Sequence, residues 1–315
     1  MSSRAVVSLS LLSLLLTAPL AATSSDPASD VAPHRIDMQL VGHHPRVEVR
    51  IEGIDRPLSF VVDTAAGATV IDAALAEEIG LFEAQSRQVQ VQGAGGNAGA
   101  ARVTALRDLA AGSFRWKAQM LAMDLSNIAR DGAPPVDGIL GNDLMSRFDL
   151  RFDLPAGHLL LAQPGSLPRP GCLDNALPQR GPALQRFAFL EARMQDGPYR
   201  SPVMAVVDTG AAQTVLNVPA ARALGVAGND ARLRLREAGT QGLAGQVAET
   251  WLYTLPSLDI GDWQLPAMEV RISALPVFSR LGLDAQPALI LGIDALRETR
   301  VDVLANAAAV CLAAQ

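Results

Sequence analysis

The chain alternates short apolar stretches with polar turns, which is the pattern typical of β-strands. Residues 47–51 (VEVRI) alternate apolar and polar side chains, and residues 58–62 (LSFVV) form an apolar run that ends at Asp63. In the second half of the chain, residues 203–207 (VMAVV) form a similar run that ends at Asp208. We therefore predict a protein built mainly of short strands.

Two short helices are predicted at matching places in the two halves. After each aspartate, a turn and a further strand lead to residues 73–79 in the first half and residues 219–224 in the second. Gly80 and Gly225 follow directly, and glycine is favoured just past the end of a helix. Pro219 also suits a first helical turn. The overall pattern is mainly β with small helices.

The sequence around the first aspartate returns 145 residues later. Without a gap, residues 60–81 (FVVDTAAGATVIDAALAEEIGL) align with residues 205–226 (AVVDTGAAQTVLNVPAARALGV), and nine of these 22 positions are identical. A second segment is repeated further on, since residues 139–143 (ILGND) return as residues 290–294 (ILGID). From the aspartate to the glycine of this segment there are 78 residues in the first half and 84 in the second. Two repeated segments separated by a stretch of variable length indicate a duplicated domain.

Length and residue usage divide the chain into two lobes behind an export signal. Its 315 residues provide room for two domains. The proline- and glycine-rich residues 163–183 are the predicted linker, so the lobes are predicted at 34–162 and 184–315. Residues 1–22 are predicted to be a signal peptide, because a basic residue precedes an apolar core too short for a membrane span. Residues 23–33 would form a flexible leader, and we expect a periplasmic or secreted protein, with an uncleaved anchor as the alternative.

Composition and charge narrow the choice of partners. With 49% apolar and 18% charged residues the chain is typical of globular proteins, and its net charge of −6 argues against nucleic acid. The four histidines, His34, His43, His44 and His158, lack the spacing of a metal site, and the His43-His44 pair is predicted to lie in a solvated loop. The chain has neither a Gly-x-Ser-x-Gly motif nor a phosphate-binding Gly-Lys-Ser/Thr loop. We expect no cofactor and no metal.

The chain contains two cysteines, Cys172 and Cys311. In an oxidising compartment they can pair, which would tie the linker region to the last strand. Two buried free thiols are the alternative, since the geometry of the pair is not visible in a sequence. No histidine is near either cysteine in the sequence, so we do not expect a nucleophile at these positions.

The two repeated aspartates are the strongest candidates for chemistry. An aspartate at the end of an apolar strand is costly to bury, because burial opposes ionisation of the carboxyl group. If the two loops face each other, the carboxyls of Asp63 and Asp208 can contact one water and must share one proton. The ionised carboxylate would then be the general base for that water, and the protonated carboxyl would donate to the scissile carbonyl. Such a pair would hydrolyse an amide without a metal or a covalent intermediate.

The doubled Asp-Thr-(Gly/Ala)-Ala motif, with Ile-Leu-Gly-x-Asp later in each half, resembles the retropepsin-like and pepsin-like aspartic proteases. It resembles in particular the bacterial exported proteins that carry two retropepsin-like domains in tandem, and the resemblance covers nearly all of the chain after the leader. It implies a bilobal fold of two closed β-barrels, with the active site between them and Asp63 and Asp208 as the catalytic dyad. It also implies an endopeptidase that acts on peptide or protein substrates as a monomer, with both half-sites in one chain.

The resemblance further implies roles for residues around the dyad. Thr64 and Thr209 would interlock the two aspartate loops with their hydroxyl groups. Gly141 and Gly292 would let an apolar strand pass beneath each loop without a Cβ clash. Gly210 follows the family pattern as the glycine of the second motif.

Hairpin flaps are expected between the aspartate and the later glycine segment of each half. Two glycine-rich stretches are the candidates, and their glycines are Gly93, Gly95, Gly96, Gly239 and Gly242. Mobile glycine-rich hairpins suit a gate over a cleft. A plain surface loop is the alternative for both stretches, and a dinucleotide-binding loop is a further alternative for the first.

Several positions depart from the family pattern or have an ordinary structural explanation. Ala65 stands where the family usually has glycine, and neither Tyr199 nor Tyr253 lies in a candidate flap. These departures leave a non-catalytic peptide-binding or scaffolding protein as the alternative function. A third possibility is a dimer in which each lobe pairs with a lobe of another chain. Asp143 and Asp294 are predicted to cap helices or to form ion pairs, not to take part in catalysis.

Overall fold

The computed structural model describes residues 32–128, 132–168, 171–174, 187–241, 247–305 and 308–314. The predicted signal peptide, most of the predicted leader and more than half of the predicted linker lie outside these described residues. Within them, short strands dominate, and the helices are four to six residues long. The prediction of a mainly β protein with short helices is confirmed. No helix in the described part of the chain is long and apolar enough to cross a membrane.

The first half of the chain forms twelve strands and two helices within the described residues. In chain order these are β1 (His34–Val41), β2 (His44–Ile51), β3 (Leu58–Val62), β4 (Val70–Asp72), α1 (Ala73–Glu78), β5 (Gln88–Gly93), β6 (Gly96–Val103), β7 (Arg107–Ala111), β8 (Phe114–Ala118), β9 (Leu121–Met123), β10 (Gly138–Leu140), α2 (Asn142–Met145), β11 (Asp149–Asp153) and β12 (His158–Ala162). The alternation seen in the sequence of β2 is real, since Val47 and Val49 are buried while Glu48 between them is exposed.

The second half repeats this arrangement with its own insertions. Its elements are β13 (Leu173–Asp174), β14 (Phe189–Asp196), β15 (Tyr199–Val207), β16 (Val215–Leu216), α3 (Val218–Ala223), β17 (Arg234–Leu235), β18 (Thr240–Gln241), β19 (Val247–Ala248), β20 (Thr250–Leu255), β21 (Ser257–Ile260), β22 (Trp263–Leu265), β23 (Met268–Ser273), α4 (Pro276–Arg280), β24 (Ala288–Leu291), α5 (Ile293–Leu296), β25 (Thr299–Val303) and β26 (Ala309–Ala314). The helix α4 separates β23 from β24 and has no counterpart among the described residues of the first half.

The strands assemble into two large sheets and one small one. The first sheet has 15 strands, ordered β13-β26-β25-β11-β12-β1-β2-β3-β10-β4-β9-β6-β5, with β7 attached to β2 and β8 to β7. The second has nine strands, ordered β17-β20-β23-β16-β24-β15-β14-β21-β22, and β18 pairs with β19 alone. Both orders run between open ends within the described residues, so the closure of each lobe into a barrel stays a prediction.

The sequence repeat is also a repeat of strand register. In the first sheet β10 lies parallel to β3, with Ile139 opposite Val61. In the second sheet β24 lies parallel to β15, with Ile290 opposite Val206. Each of these inner strands pairs on its other side with the short strand after the aspartate turn, β4 or β16. The two copies therefore present their aspartates from equivalent places.

Both predicted helices after the aspartate turns are present, and their ends follow from their sequences. Asp72 and Asn217 cap the first turns of α1 and α3, where each side chain accepts a hydrogen bond from a backbone N–H. Gly80 and Gly225, just past the helix ends, have φ angles of +66° and +69°. Glycine adopts this left-handed conformation without the Cβ penalty that other residues incur.

The last two strands of the chain belong to the sheet of the first half. β25 pairs with β11, and the buried Asp302 on β25 accepts hydrogen bonds of 2.8 and 2.7 Å from the Arg151 guanidinium on β11. β26 pairs with β25 and with β13, and next to that pairing a disulfide joins Cys172 to Cys311. Strands from beyond the predicted linker thus complete the first sheet and connect the two halves.

Candidate active site

The two repeated aspartates follow the central strands β3 and β15. The backbone N–H of Asp63 donates to the carbonyl of Leu140 at 3.1 Å, and that of Asp208 donates to Leu291 at 3.0 Å. In each half, the strand that carries the aspartate is therefore bonded to the strand of the second repeated segment. Neither aspartate has exposed surface.

Two threonine hydroxyls hold the aspartate loops together across the two halves. The Thr64 hydroxyl donates to the carbonyl of Val207 at 2.8 Å and accepts from the Thr209 N–H at 3.1 Å. The Thr209 hydroxyl donates to the carbonyl of Val62 at 2.7 Å and accepts from the Thr64 N–H at 3.1 Å. Because a hydroxyl can donate and accept at once, each threonine uses both capacities. Four buried hydrogen bonds thus fix the loops side by side.

Each carboxyl group is held on one oxygen and leaves the other oxygen available. The Oδ1 atom of Asp63 accepts from the Ala65 N–H at 2.8 Å. The Oδ1 atom of Asp208 accepts from the N–H groups of Gly210 and Ala211, both at 2.9 Å. The Oδ2 atoms of the two aspartates are buried and have no hydrogen-bond partner among the described residues. These two oxygens, one from each half, are therefore left to each other and to a bound molecule.

The electrostatic environment favours one shared proton. Burial raises the pKa of Asp63 well above its ordinary value, and the charge of Asp208 raises it further. Burial also raises the pKa of Asp208, to about 7, and a hydrogen bond with the Asp63 side chain acts in the opposite direction. Backbone N–H groups lower both pKa values, those of Ala65 and Ala66 for Asp63 and those of Ala211 and Gly210 for Asp208. The pair therefore keeps a proton at a pH at which a free aspartate has lost it.

The two glycines of the second repeated segments lie directly beneath the aspartate loops. A Cβ atom at Gly141 would lie 2.4 Å from the carbonyl carbon and oxygen of Ala68. A Cβ atom at Gly292 would lie 2.6 Å from the carbonyl carbon of Gln213. Backbone cannot move aside as a flexible side chain can, so no other residue fits at either position.

The prediction that Asp143 and Asp294 cap helices is wrong. The glycines that precede α2 and α5 occupy the N-cap positions, and the two aspartates lie in the first helical turn. Their carboxylates turn back toward the aspartate loops instead, where each accepts a hydrogen bond of 2.8 Å from a threonine hydroxyl, Thr69 for Asp143 and Thr214 for Asp294. They therefore stabilise the segments that follow the two aspartate loops through these threonines.

Ala65 fits the first loop, whereas Gly210 cannot be replaced in the second. Neither residue has a positive φ angle, and the two backbone N–H groups bond their aspartates in the same way. A Cβ atom at Gly210, however, would lie 2.3 Å from the Asp63 Cγ atom. Ala65 is buried instead in an apolar cluster with Ala94 and Phe187. The two loops are thus alike in backbone and different in what surrounds them.

The glycine-rich stretch of the first half is a hairpin whose tip rests on the second half. β5 and β6 form the hairpin, and its tip, residues 93–96, is buried. The carbonyl of Ala94 accepts from the Val277 N–H at 3.2 Å, and the carbonyl of Gly93 accepts from the Arg280 guanidinium. Both donors belong to α4. The hairpin therefore bridges the halves beside the aspartate loops.

The candidate flap glycines of the two halves lie in different structural surroundings. Gly93, Gly95 and Gly96 form the docked hairpin tip. Gly239 precedes the small sheet of β18 and β19 with a φ of +58°. Gly242 lies outside the described residues. The flap role of these glycines stays a prediction, and only the first stretch contacts the opposite half through the bonds described above.

The prediction of a solvated His43-His44 loop is wrong for His44. His43 is exposed in the tight turn between β1 and β2, with a φ of +69°, whereas His44 begins β2 and is only 2% exposed. Burial lowers the pKa of the His44 imidazole to about 4, the charge of Arg46 lowers it further, and a hydrogen bond with the carbonyl of Gly210 acts against both. The opposite half covers this strand end, which no local pattern reveals.

Comparison with known families gives two matches along the chain. The model of the aspartyl protease family matches residues 47–144 and residues 190–295. Each match contains one repeated aspartate and its later glycine segment, and together they cover well over half of the 315 residues. The prediction of two tandem units of one family is confirmed. Comparison with curated proteins gives no match.

Proposed function

Because this chain belongs to the aspartyl protease family, we propose that it is an endopeptidase in which Asp63 and Asp208 activate a water molecule. One observation carries this proposal: the paired threonine hydrogen bonds set the two carboxyls side by side, each with a free Oδ2 atom. The substrate would be an extended peptide between the two halves, covered by the hairpin of β5 and β6.

The backbone hydrogen bonds suggest the chemical roles, because the Asp208 Oδ1 atom accepts two N–H groups, which stabilise a carboxylate, whereas the Asp63 Oδ1 atom accepts one. Asp208, as the carboxylate, takes a proton from the water as its oxygen adds to the carbonyl carbon of the peptide bond. Asp63, as the protonated carboxyl, donates its proton to the carbonyl oxygen and stabilises the charge that develops there. When the intermediate collapses, the C–N bond breaks, the proton taken by Asp208 passes to the leaving nitrogen, and a hydroxyl group of the intermediate returns a proton to Asp63. Both carboxyls are needed, so neither half is a catalyst alone.

The cellular setting and assembly are parts of the same proposal. The disulfide between Cys172 and Cys311 supports an exported protein, because disulfides persist in oxidising compartments. The bonds between Thr64 and Thr209 within one chain support a monomer. Light scattering of the protein without its first 22 residues would check the mass, and a dimer would contradict the assignment of both half-sites to one chain.

Two substitutions test the dyad. Asp63→Asn and Asp208→Asn should each lower peptide cleavage by at least about a hundredfold, because each removes one acid–base partner while preserving shape. Asp124→Asn, at a surface turn, is the matched control and should cleave as the wild type does. Circular dichroism would verify the fold of all three. Full cleavage by either dyad variant would overturn the proposal.

A peptide-binding protein without turnover is the second candidate function. The docked hairpin tip favours it, since the closed tip leaves the dyad buried. Cleavage of a denatured protein mixture at acidic to neutral pH, with and without a statine-type inhibitor, distinguishes the two. Binding without any inhibitor-sensitive cleavage would favour this second function.

A further inference from the structure

Two buried side chains of β2, the cationic Arg46 and the neutral His44, have polar atoms without partners. Arg46 is 5% exposed and His44 is 2% exposed. The Nη1 atom of Arg46 donates to the carbonyls of Pro134 and Pro135 at 2.8 and 3.0 Å. Its Nε and Nη2 atoms, and the Nδ1 atom of His44, have no hydrogen-bond partner among the described residues. Buried polar groups are nearly always bonded, so these three atoms call for an explanation.

The acidic group whose charge acts on Arg46 already has other partners. The charge of Asp137 acts favourably on Arg46, but its carboxylate binds the Arg56 guanidinium at 2.9 and 3.2 Å and the Ser59 N–H at 2.7 Å. Arg46 thus keeps a free edge formed by Nε and Nη2. Two parallel N–H groups of one guanidinium edge match the two oxygens of a carboxylate.

Strand register places this edge on the same face as the dyad. Arg46 of β2 is opposite Val61 of β3, so their side chains lie on one face of the sheet. Side chains two residues apart on a strand share a face, so Asp63 and His44 belong to this face too. The contact of the His44 ring with the carbonyl of Gly210 sets it beside the second aspartate loop. The strand register therefore directs the Arg46 side chain to the face of the sheet that carries Asp63.

The same two places in the other half carry aromatic side chains. Phe189 of β14 is opposite Val206 of β15, just as Arg46 is opposite Val61 in the first half. Phe187, two residues earlier, stands where His44 stands. Both phenylalanines are buried in the apolar cluster that also contains the hairpin tip. The first half therefore contributes one cationic and one neutral polar side chain at these places, whereas the second half contributes two apolar ones.

We propose that Arg46 forms a carboxylate-binding subsite beside His44, which selects peptides with an acidic residue on the first-half side of the scissile bond and an apolar residue on the other. This inference rests on the proposed peptide-binding function. The subsite is closed in this structure as the dyad is, so the opening that admits a peptide to Asp63 and Asp208 would serve both. The carboxylate can be a glutamate or aspartate side chain or the carboxyl terminus of the peptide.

Peptide pairs that differ in one charge test the proposal directly. The probes are acetylated decapeptides with a central apolar residue and either Glu or Gln at each neighbouring position in turn, made with free and with amidated carboxyl termini. The wild type should cleave the best Glu peptide about 10- to 100-fold faster than its Gln counterpart, because a buried charged hydrogen bond is lost. A preference that follows the free terminus instead would assign the subsite to a terminal carboxylate.

Substitutions show which residues cause the preference for Glu over Gln peptides. Arg46→Met should bring the Glu-to-Gln ratio close to one, Arg46→Lys should retain part of it, and His44→Phe, which copies the other half, should reduce it. Arg50→Met is the matched control, an exposed arginine on the same strand, and should keep the wild-type ratio. Each ratio is measured within one protein, so a general loss of stability does not alter it.

The outcomes separate this inference from the proposed function. No Glu preference at any position, or full preference in a folded Arg46→Met variant, would overturn the subsite. If the wild type cleaves none of the peptides, calorimetric binding of the same pairs decides. Tighter binding of the Glu peptide, lost in Arg46→Met, would support the subsite although catalysis had failed, and equal or absent binding of both peptides would overturn it.

Discussion

Thr64 and Thr209 each donate a hydroxyl hydrogen bond across the boundary between the halves and accept one from the backbone N–H of the other. This reciprocity makes the two loops one unit. A double-mutant cycle should show it: Thr64→Val and Thr209→Val should each lower the free energy of unfolding by about 1–3 kcal/mol, and their effects should not add.

The control for this cycle is a threonine that bonds within one half. Thr299→Val removes a hydroxyl bond to the carbonyl of Leu296 and should add independently to either loop variant. Urea unfolding of the single and double variants measures all the terms. Strict additivity of the two loop variants would contradict a single interlocked unit.

The raised pKa values of the dyad predict a stability that falls with rising pH. An unfolded aspartate loses its proton near pH 4, whereas in the folded protein the pair retains it. Between these two titrations the folded state binds more protons than the unfolded state, so the free energy of unfolding decreases as pH rises. Asp63→Asn should weaken this decrease, and urea unfolding at several pH values would measure it. An unchanged slope relative to the wild type would contradict shared protonation.

The asymmetry between Ala65 and Gly210 predicts opposite outcomes for two small changes. Gly210→Ala would set a methyl group against the Asp63 carboxyl and should lower kcat by about a hundredfold through misplacement of that group. Ala65→Gly should stay within a few-fold of the wild type, because its backbone already matches the glycine. Steady-state kinetics on one peptide measure both. Equal effects of the two substitutions would refute the asymmetry.

The contact between the hairpin tip and α4 predicts a local change in hydrogen exchange. Arg280→Ala removes the guanidinium bond to Gly93 and should speed exchange of the Val277 N–H, which donates to Ala94, by about tenfold. The Leu281 N–H bonds inside α4 and should stay protected.

Arg222→Ala provides the matched control for this experiment. Arg222 lies in the last turn of α3, as Arg280 does in α4, but it is exposed. Exchange of the Val277 N–H should be unchanged in this variant. Equal acceleration in both variants would show that the tip is not held by Arg280.

The strand architecture and the aspartate pair were predictable because they are local and repeated. An apolar run before Asp63 and again before Asp208 fixes the ends of β3 and β15, and capping residues fix the helices after them. Gly141 and Gly292 were predictable for the same reason, since each lies at a constant place in its copy.

Features that depend on contact between the halves were not predictable from local patterns. The burial of His44 results from a loop 166 residues further along the chain, and the docking of the hairpin tip depends on α4, which has no counterpart among the described residues of the first half. The difference between the two halves at Arg46 can be recognised once the strand register is known, because the repeat then aligns Arg46 with Phe189. Sequence alone gives no such register.

The pairing of β25 with β11 has a consequence for the order in which the protein is made. Until the last residues of the chain are synthesised, β11 is an open sheet edge, so the half that is synthesised first is completed last. Asp63 therefore has no partner carboxyl until Asp208 has been synthesised, and this edge of β11 has no partner strand until β25 has been synthesised. A chain that ends before β25 leaves this edge of β11 unpaired, and the proposed proteolytic activity would require both halves to be synthesised and folded.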